Sequence, residues 1–484
     1  MGVPDRLVGN RHSPELVLCA SNPRRSCGGC VTQRVSGARG FCTDRFMLFA
    51  AHRAVPRLRD SMKYKNELSS CVWRTVASGL LLFVTAIPLN QATAQSLHLC
   101  SWPFEVTGHG ITNVATPDTN ATYWVMPLDT NLWNRVIIEG QYPEARFFNF
   151  TTYQETGSLV DTILDASIAP DSGSVNPFAV KVGDGHPNTY TIQVGRNIGG
   201  SGNSLLLGAS RLEFLVYRVY APDSTFDRMG GAGVPTITLV GPKGSILKLQ
   251  PCPFADTESN LINTITLLRM NGFTDAVNFL QQILMTAGVG TGSCTSGQPA
   301  PATTVDFEIA SLGADFFPNP QTTYLETPGL CFQAGKVLVV KGRAPVFPNT
   351  YNGESVFDPA PPFDQGSNIQ LRYWSMCNNN REPPFSVIAC QADFATTIEK
   401  ISDHNHRSTY TYTYIVSADL APPPWLPANA TWLPWGPIDI PKNLIFRALL
   451  SENSFALTRD YYPRAVFCDL AVLQACLAAA APQM

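Results

Sequence analysis

Arg135-Val-Ile-Ile-Glu-Gly-Gln-Tyr-Pro143, running on through Ala145-Arg-Phe-Phe-Asn-Phe-Thr-Thr-Tyr153, decides how this chain is read, because an echo of it stands far downstream. The echo is Lys336-Val-Leu-Val-Val-Lys-Gly-Arg-Ala-Pro345, followed after an insertion by Leu371-Arg-Tyr-Trp-Ser-Met-Cys377. Gly140 and Gly342 are 202 positions apart, and so are Pro143 and Pro345. Tyr123 precedes Arg135 by the same twelve positions that separate Tyr324 from Lys336, so the repeat extends beyond one strand. Val136-Ile-Ile138 and Val337-Leu-Val-Val340 are apolar runs of strand length, as in strands covered on both faces, each expected to break at the glycine and proline that follow.

Further on, Thr189-Tyr-Thr-Ile-Gln-Val194 matches Thr411-Tyr-Thr-Tyr-Ile-Val416, and Leu212 to Tyr220 matches Asn443 to Leu449, with Arg218 and Arg447 each set in an apolar strand. These β-branched and aromatic segments are separated by Pro, Gly, Asn and Asp turns. The expected fold is mainly β: two tandem antiparallel β-sandwich-like modules from an internal duplication, at 97–255 and 300–465, joined by a short helical segment. In that connector, at 256–299, Leu261, Ile265 and Leu268 keep helical spacing up to a stop at Asn271-Gly272. A second helix follows Thr274, its expected N-cap, and a Gly, Ser, Thr and Pro-rich linker closes the segment. The Pro-rich insertion 347–365 reads as a surface loop, and the Ala-rich tail within 466–484 as a short closing helix.

The whole chain carries a net charge of −3, but residues 1–94 hold 13 basic against 5 acidic side chains. The remainder is near −11, which argues against a nucleic-acid or anionic-membrane partner. Residues 62–94 have the plan of a signal peptide: a basic start at Lys63 and Lys65, an apolar run at 76–87, and Ala92-Thr93-Ala94 as cleavage site. That run falls short of the roughly 20 residues a bilayer span needs, so no integral membrane span is expected after cleavage. Residues 1–61, with ten arginines and no hydrophobic periodicity, read as a non-native or untranslated leader. A transit peptide, or half a zinc site at Cys27 and Cys30, are the alternatives.

Eight cysteines follow the cleavage site, an even number that suggests disulfides and a secreted, periplasmic or cell-envelope location. Cys377 with Cys390, across a turn, and Cys468 with Cys476 are the expected local pairs.

Candidate chemistry falls in two clusters. Asp118, Asn120, Tyr123 and Trp124 share one turn of the first module, and carboxylates beside aromatics suit a sugar or small molecule; an Asx-turn and a core tryptophan are the plainer alternative. Asp118 with Asp161 would serve as acid and base if the chain were a hydrolase or lyase. In the second module Trp432 and Trp435 crowd a Pro-rich loop and offer stacking faces. His404 and His406 are weak metal ligands for want of a third at a usual spacing. Arg146 and Arg372, like Arg218 and Arg447, fill the same slot in both copies, which suggests structural roles with Asp118 or Asp161 as partners; anion binding is the alternative, and Arg146 is carried as a ligand-binding candidate. No G-x-S-x-G elbow, H-E-x-x-H, P-loop, dinucleotide fingerprint or EF-hand loop is present, and no cofactor is expected.

The order of a turn at Pro117 to Tyr123, an aromatic strand at Arg146 to Tyr153 and a late Trp432-Leu-Pro434 resembles a family of exported bacterial proteins with two tandem β domains and no assigned function. The resemblance implies fold and export only. The functional expectation is an exported protein binding a small molecule or glycan, with a motif-less hydrolase and a structural or assembly protein as alternatives.

Overall fold

The structure is a computed structural model that describes residues 100–479, except 184, 199–201, 254–256, 286–293, 295–303, 311–316, 403–407 and 452–456. The expected leader and signal peptide lie outside the described residues, as do His404 and His406. Leu89–Met484 forms one compact unit.

In chain order the first strands are β1 (Phe104–Val106), β2 (Ala121–Asp129), β3 (Arg135–Gln141), β4 (Ala145–Gln154), β5 (Leu159–Leu164), β6 (Thr189–Gly195), β7 (Ser204–Leu206), β8 (Leu212–Pro222), β9 (Thr236–Val240) and β10 (Ile246–Leu249). Helices α1 (Thr257–Met270) and α2 (Thr274–Met285) come next. Then follow β11 (Thr304–Asp306), β12 (Glu308–Ile309), β13 (Thr322–Glu326), β14 (Lys336–Arg343), β15 (Leu371–Asn380), β16 (Val387–Ala392), β17 (Ile398–Ser402), β18 (Ser408–Ser417), β19 (Thr431–Pro434), β20 (Lys442–Ser451), β21 (Arg464–Asp469) and the short α3 (Leu473–Ala479).

These make four sheets in a mainly β molecule. The orders β1-β2-β8-β4-β5 and β12-β13-β20-β15-β16 are antiparallel throughout and run through corresponding strands. We call them the inner sheets. The outer sheets are β10-β9-β3-β6-β7 and β11-β21-β14-β18-β17, with β7 on β6 and β19 on β18 as the parallel pairs. One core fills the space between the first pair of sheets, from Trp124, Phe148, Phe150 and Tyr217 on one side to Val136, Ile138 and Ile192 on the other. A second, built around Trp374, Phe446, Leu338 and Tyr414, fills the other sandwich.

The inner sheets then face each other. Phe147, Tyr220 and Ala121 of the first pack on Tyr373, Ala392 and Leu449 of the second. This explains why β4 and β15 are buried nearly end to end: alternate side chains enter a core, and the rest enter the seam. The doubly covered strand expected at 136–138 is instead half-covered, with Val136 and Ile138 inward and Ile137 only half-buried. Its counterpart β14 is covered on both faces, because Val337 and Val339 pack under Leu473 of α3 and beside Trp425.

Gly140 and Gly342 do not break their strands; they sit inside β3 and β14. Each lies directly opposite a tyrosine, Tyr190 and Tyr412, whose ring occupies the space a Cβ would need. Tyr412 is fully enclosed beneath Trp374 and Phe446, so it has nowhere to retreat. Gly342→Ala is therefore expected to destabilise the fold by about 1–3 kcal/mol, as overpacking does, read from the urea midpoint. An unchanged midpoint would show that the Tyr412 ring moves freely.

One further expectation is corrected and another is extended. The insertion 347–365 is no surface loop: Phe347, Val356, Ala360 and Phe363 are buried, and Val356 enters the core of the first sandwich. Helices α1 and α2 are more than a connector. Leu261, Leu268, Phe273 and Val277 pack on Val125, Phe214 and Val216 of the first inner sheet. The reversal between the helices is made by Gly272 at φ 80°, a left-handed C-terminal turn in which the Phe273 N–H reaches the Leu268 carbonyl.

The eight cysteines among the described residues all pair: Cys100–Cys252, Cys294–Cys331, Cys377–Cys390 and Cys468–Cys476. The two local pairs expected from spacing are among them. Cys377 and Cys390 are direct cross-strand neighbours on β15 and β16.

Candidate functional site

One face of the first inner sheet carries two coverings, the second sandwich toward one end and α1 with α2 toward the other. Where they meet lies a cavity of about 140 Å³. Strand periodicity aims the side chains: along β8, Phe214, Val216, Arg218 and Tyr220 share one face and all line the cavity, while Leu215, Tyr217 and Val219 enter the core. Val125 of β2, Leu261 of α1 and Leu280 of α2 complete an apolar wall.

The other wall is polar and drawn from both sandwiches. Arg218 stands opposite Tyr123 across β8 and β2, and Arg447 stands opposite Tyr324 across β20 and β13. Each guanidinium carbon lies over its tyrosine ring, at 5.7 Å and 5.9 Å. Arg218 donates to Thr151 Oγ1 (3.0 Å), Tyr153 OH (2.6 Å) and the Phe317 carbonyl (2.9 Å). Arg447 donates to the Thr116 carbonyl. The residues presenting those carbonyls, Thr116 and Phe317, both hold left-handed backbone at φ 52° and 50°. A β-branched or bulky side chain rarely does so, and such strain costs about 1–3 kcal/mol per residue.

Both arginines are almost wholly buried, at 2% and 3% exposure, yet neither makes an ion pair with a carboxylate among the described residues. Arg218 Nε and Arg447 Nη1 have no acceptor among them either. The phenols supply no negative charge. Burial first, and Asp118 second, push Tyr123 up to about 12. Burial likewise raises Tyr153 and Tyr220, so all three stay protonated at neutral pH.

The other repeated arginines are placed differently. Arg146 Nη1 donates to both oxygens of Asp393 (2.9 Å and 2.8 Å), and its Nε donates to Thr350 Oγ1 (2.5 Å). Arg372 Nη1 lies 3.7 Å from Asp165. Each pair crosses the seam, so the partners are Asp393 and Asp165 rather than Asp118 or Asp161. Arg146 is fully buried and does not line the cavity.

Of the first sequence cluster only Tyr123 lines the cavity. Asp118 is fully buried and has both oxygens engaged: Oδ1 by the Asn120 N–H and Nδ2, Oδ2 by Tyr373 OH and Ser375 Oγ. This is the Asx-turn, with Asn120 as part of it. Trp124 stacks on Tyr217 inside the core. Asp161 accepts the Thr162 and Leu206 N–H groups and so clips β5 to β7; it shares no partner with Asp118. Trp435 is buried against Phe332 and Phe467, and half-buried Trp432 donates to Ser417 Oγ. Asn149, in a glycosylation-type sequence, is enclosed with its Nδ2 on Asn319 and Gln321. The cluster Asp118, Cys377 and Cys390 has metal-like spacing, but the disulfide consumes its thiols.

The residues that reading the sequence underweighted are Arg218, Arg447 and Tyr324. Their signal was present: a tyrosine and an arginine recur in both halves of the chain, and residues of both halves line one cavity.

No family model matches the chain, and no curated protein matches it. Among solved structures it is similar to an uncharacterised protein from Burkholderia cenocepacia, at 11% identity over 84% of this chain and 97% of that one, with a TM-score of 0.43. A protein from Vibrio parahaemolyticus is similar at 13% identity over 74% of this chain and 91% of that one, with a TM-score of 0.35.

Proposed function

We propose that this chain is an exported, duplicated β protein that binds a small, largely apolar molecule in the cavity between its two sandwiches and its helical hairpin. The observation that carries the reading is the cavity itself. It is a partly open pocket of about 140 Å³, mostly apolar in its lining and bordered by the positive-φ residues Thr116 and Phe317 and by Arg218 and Arg447. An enclosed engineered cavity of about 150 Å³ in another protein holds benzene, so the space here admits a body of at least that size.

Duplication is supported by the two inner sheets, which run through corresponding strands, and by paired features such as Gly140/Tyr190 with Gly342/Tyr412. Export is supported by four disulfides, which persist in oxidising compartments, and by the leader's signal-like pattern. Among the described residues no helix is long and apolar enough to cross a membrane. The apolar wall favours an aromatic or aliphatic ligand over a glycan, whose hydroxyls would find few partners there.

Thermal-shift and calorimetric screening of the oxidised protein against small aromatic and aliphatic compounds tests this. Ligand at a hundred times its dissociation constant stabilises by about 2.7 kcal/mol, a visible rise in melting temperature. Leu280→Trp, which places a larger side chain in the cavity wall, is expected to abolish that rise in a variant that still folds. A folded variant that binds as well as the parent would place the ligand elsewhere.

A further inference from the structure

We propose that the ligand is a small carboxylate, a benzene-sized apolar body with one negative charge, its carboxylate against Arg218 and Arg447 and its body against Val125, Val216 and Leu261. The proposal rests on the ligand-binding reading above and adds the ligand's charge.

The chain itself supplies the comparison. It buries four arginines at corresponding positions of its two halves, and where the arginine joins the halves it provides a carboxylate: Asp393 for Arg146 and Asp165 for Arg372. At Arg218 and Arg447 it provides carbonyls, hydroxyls and ring faces instead. A guanidinium is charged at every accessible pH, and enclosing one without a counter-charge costs several kcal/mol. Asp118 acts electrostatically on Arg447, but its oxygens are held by Asn120, Tyr373 and Ser375. Two guanidinium charges, one nearby carboxylate and protonated phenols leave one positive charge over, which a monoanion offsets.

Arg218 and Arg447 both line the cavity and present it with guanidinium charge that no ion pair among the described residues offsets; the unmet Arg218 Nε and Arg447 Nη1 are themselves shut off from it, so a carboxylate meets the two groups by charge and reaches these N–H groups only if the side chains shift. The apolar wall adjoining them rejects a fully solvated ion such as phosphate and accepts a ring or short chain. The carboxylate would also explain why Thr116 and Phe317 are held at positive φ, since their carbonyls are what orient the two guanidinium groups.

The test compares matched probes on the full-length oxidised protein by calorimetry: benzoate, phenylacetate and hexanoate against benzyl alcohol and hexanol, with inorganic phosphate as a third arm. Hydrogen bonds to charged groups predict that the acids bind about 10- to 100-fold tighter than the alcohols. Arg447→Gln, if folded, should erase most of that preference by weakening acid binding far more than alcohol binding. The acid-to-alcohol ratio of the unaltered protein decides the matter even if the variant does not fold. Alcohols that bind as tightly as acids would overturn the charge assignment while leaving the binding reading intact. Phosphate binding alone would overturn the apolar body. No organic probe binding would remove the binding reading and this inference with it.

Discussion

Replacing Asp393 with alanine is expected to cost about 3–5 kcal/mol of stability, because it strands the Arg146 guanidinium in the seam between the sandwiches. Asp393 has a double role: besides Arg146 it accepts the Trp374 and Phe394 N–H groups, which fixes the turn after β16. Burial pushes its carboxyl up to about 6, against the pull of Arg146. The pair is therefore no large net source of stability, and the loss comes from what remains unpaired when one partner goes. Asp393→Asn, which keeps an acceptor without the charge, should accordingly cost less than alanine. Asp364, an exposed partner of Lys400, is the control, and Asp364→Ala should leave the midpoint nearly unmoved. Urea titration of all three variants decides: if Asp393→Ala behaves like Asp364→Ala, the seam does not depend on this ion pair.

That the arginines recur could be read from the chain, but their partners could not. Arg146 and Asp393 are 247 positions apart, and only the packing of one inner sheet on the other brings them together. A signal for the acids existed, since Asp165-Ala-Ser and Asp393-Phe-Ala each follow the strand after the aromatic one and each begin a short 3-10 turn. Recognising that repeat would have supplied both carboxylates. The strands themselves were legible because core positions keep their spacing, as Gly140 and Gly342 do opposite their tyrosines. The buried insertion was not, because its prolines resemble those of a solvated loop, and its apolar residues have no periodicity to mark them as core.

The same limit explains the candidate site. Asp118 and Trp124 attracted notice because carboxylate-aromatic clusters suit ligands, yet one is saturated by hydrogen bonds and the other lies in the core. The rule that a residue repeated in both copies serves the fold holds for Arg146 and Arg372. Arg218 and Arg447 differ in that both line one cavity and neither has a carboxylate ion-pair partner among the described residues.

The cavity also bears on the last large effect, loss of the Cys100–Cys252 disulfide. This bond spans 152 positions and joins the start of the first sandwich to the end of β10, beside the backbone bonds Ser101 to Gln250 and Cys252 to Ser101. A cross-link removes more entropy from the unfolded chain the longer the loop it closes, which for a loop of this length gives about 5 kcal/mol in the chain-entropy treatment and about 2–5 kcal/mol in practice. Cys468–Cys476 closes only 8 positions, pins α3 to β21, and should contribute about 2.5 kcal/mol or less by the same argument. Cys100→Ala with Cys252→Ala is therefore expected to lower the urea midpoint more than Cys468→Ala with Cys476→Ala. Equal losses would mean that native contacts, rather than the length of chain enclosed, set the worth of these bonds. A further readout separates global from local effects: Cys100 stands just before β1, whose Phe104 and Val106 line the cavity, so the first double variant should weaken ligand binding, whereas the second, whose cysteines do not line it, should leave binding unchanged.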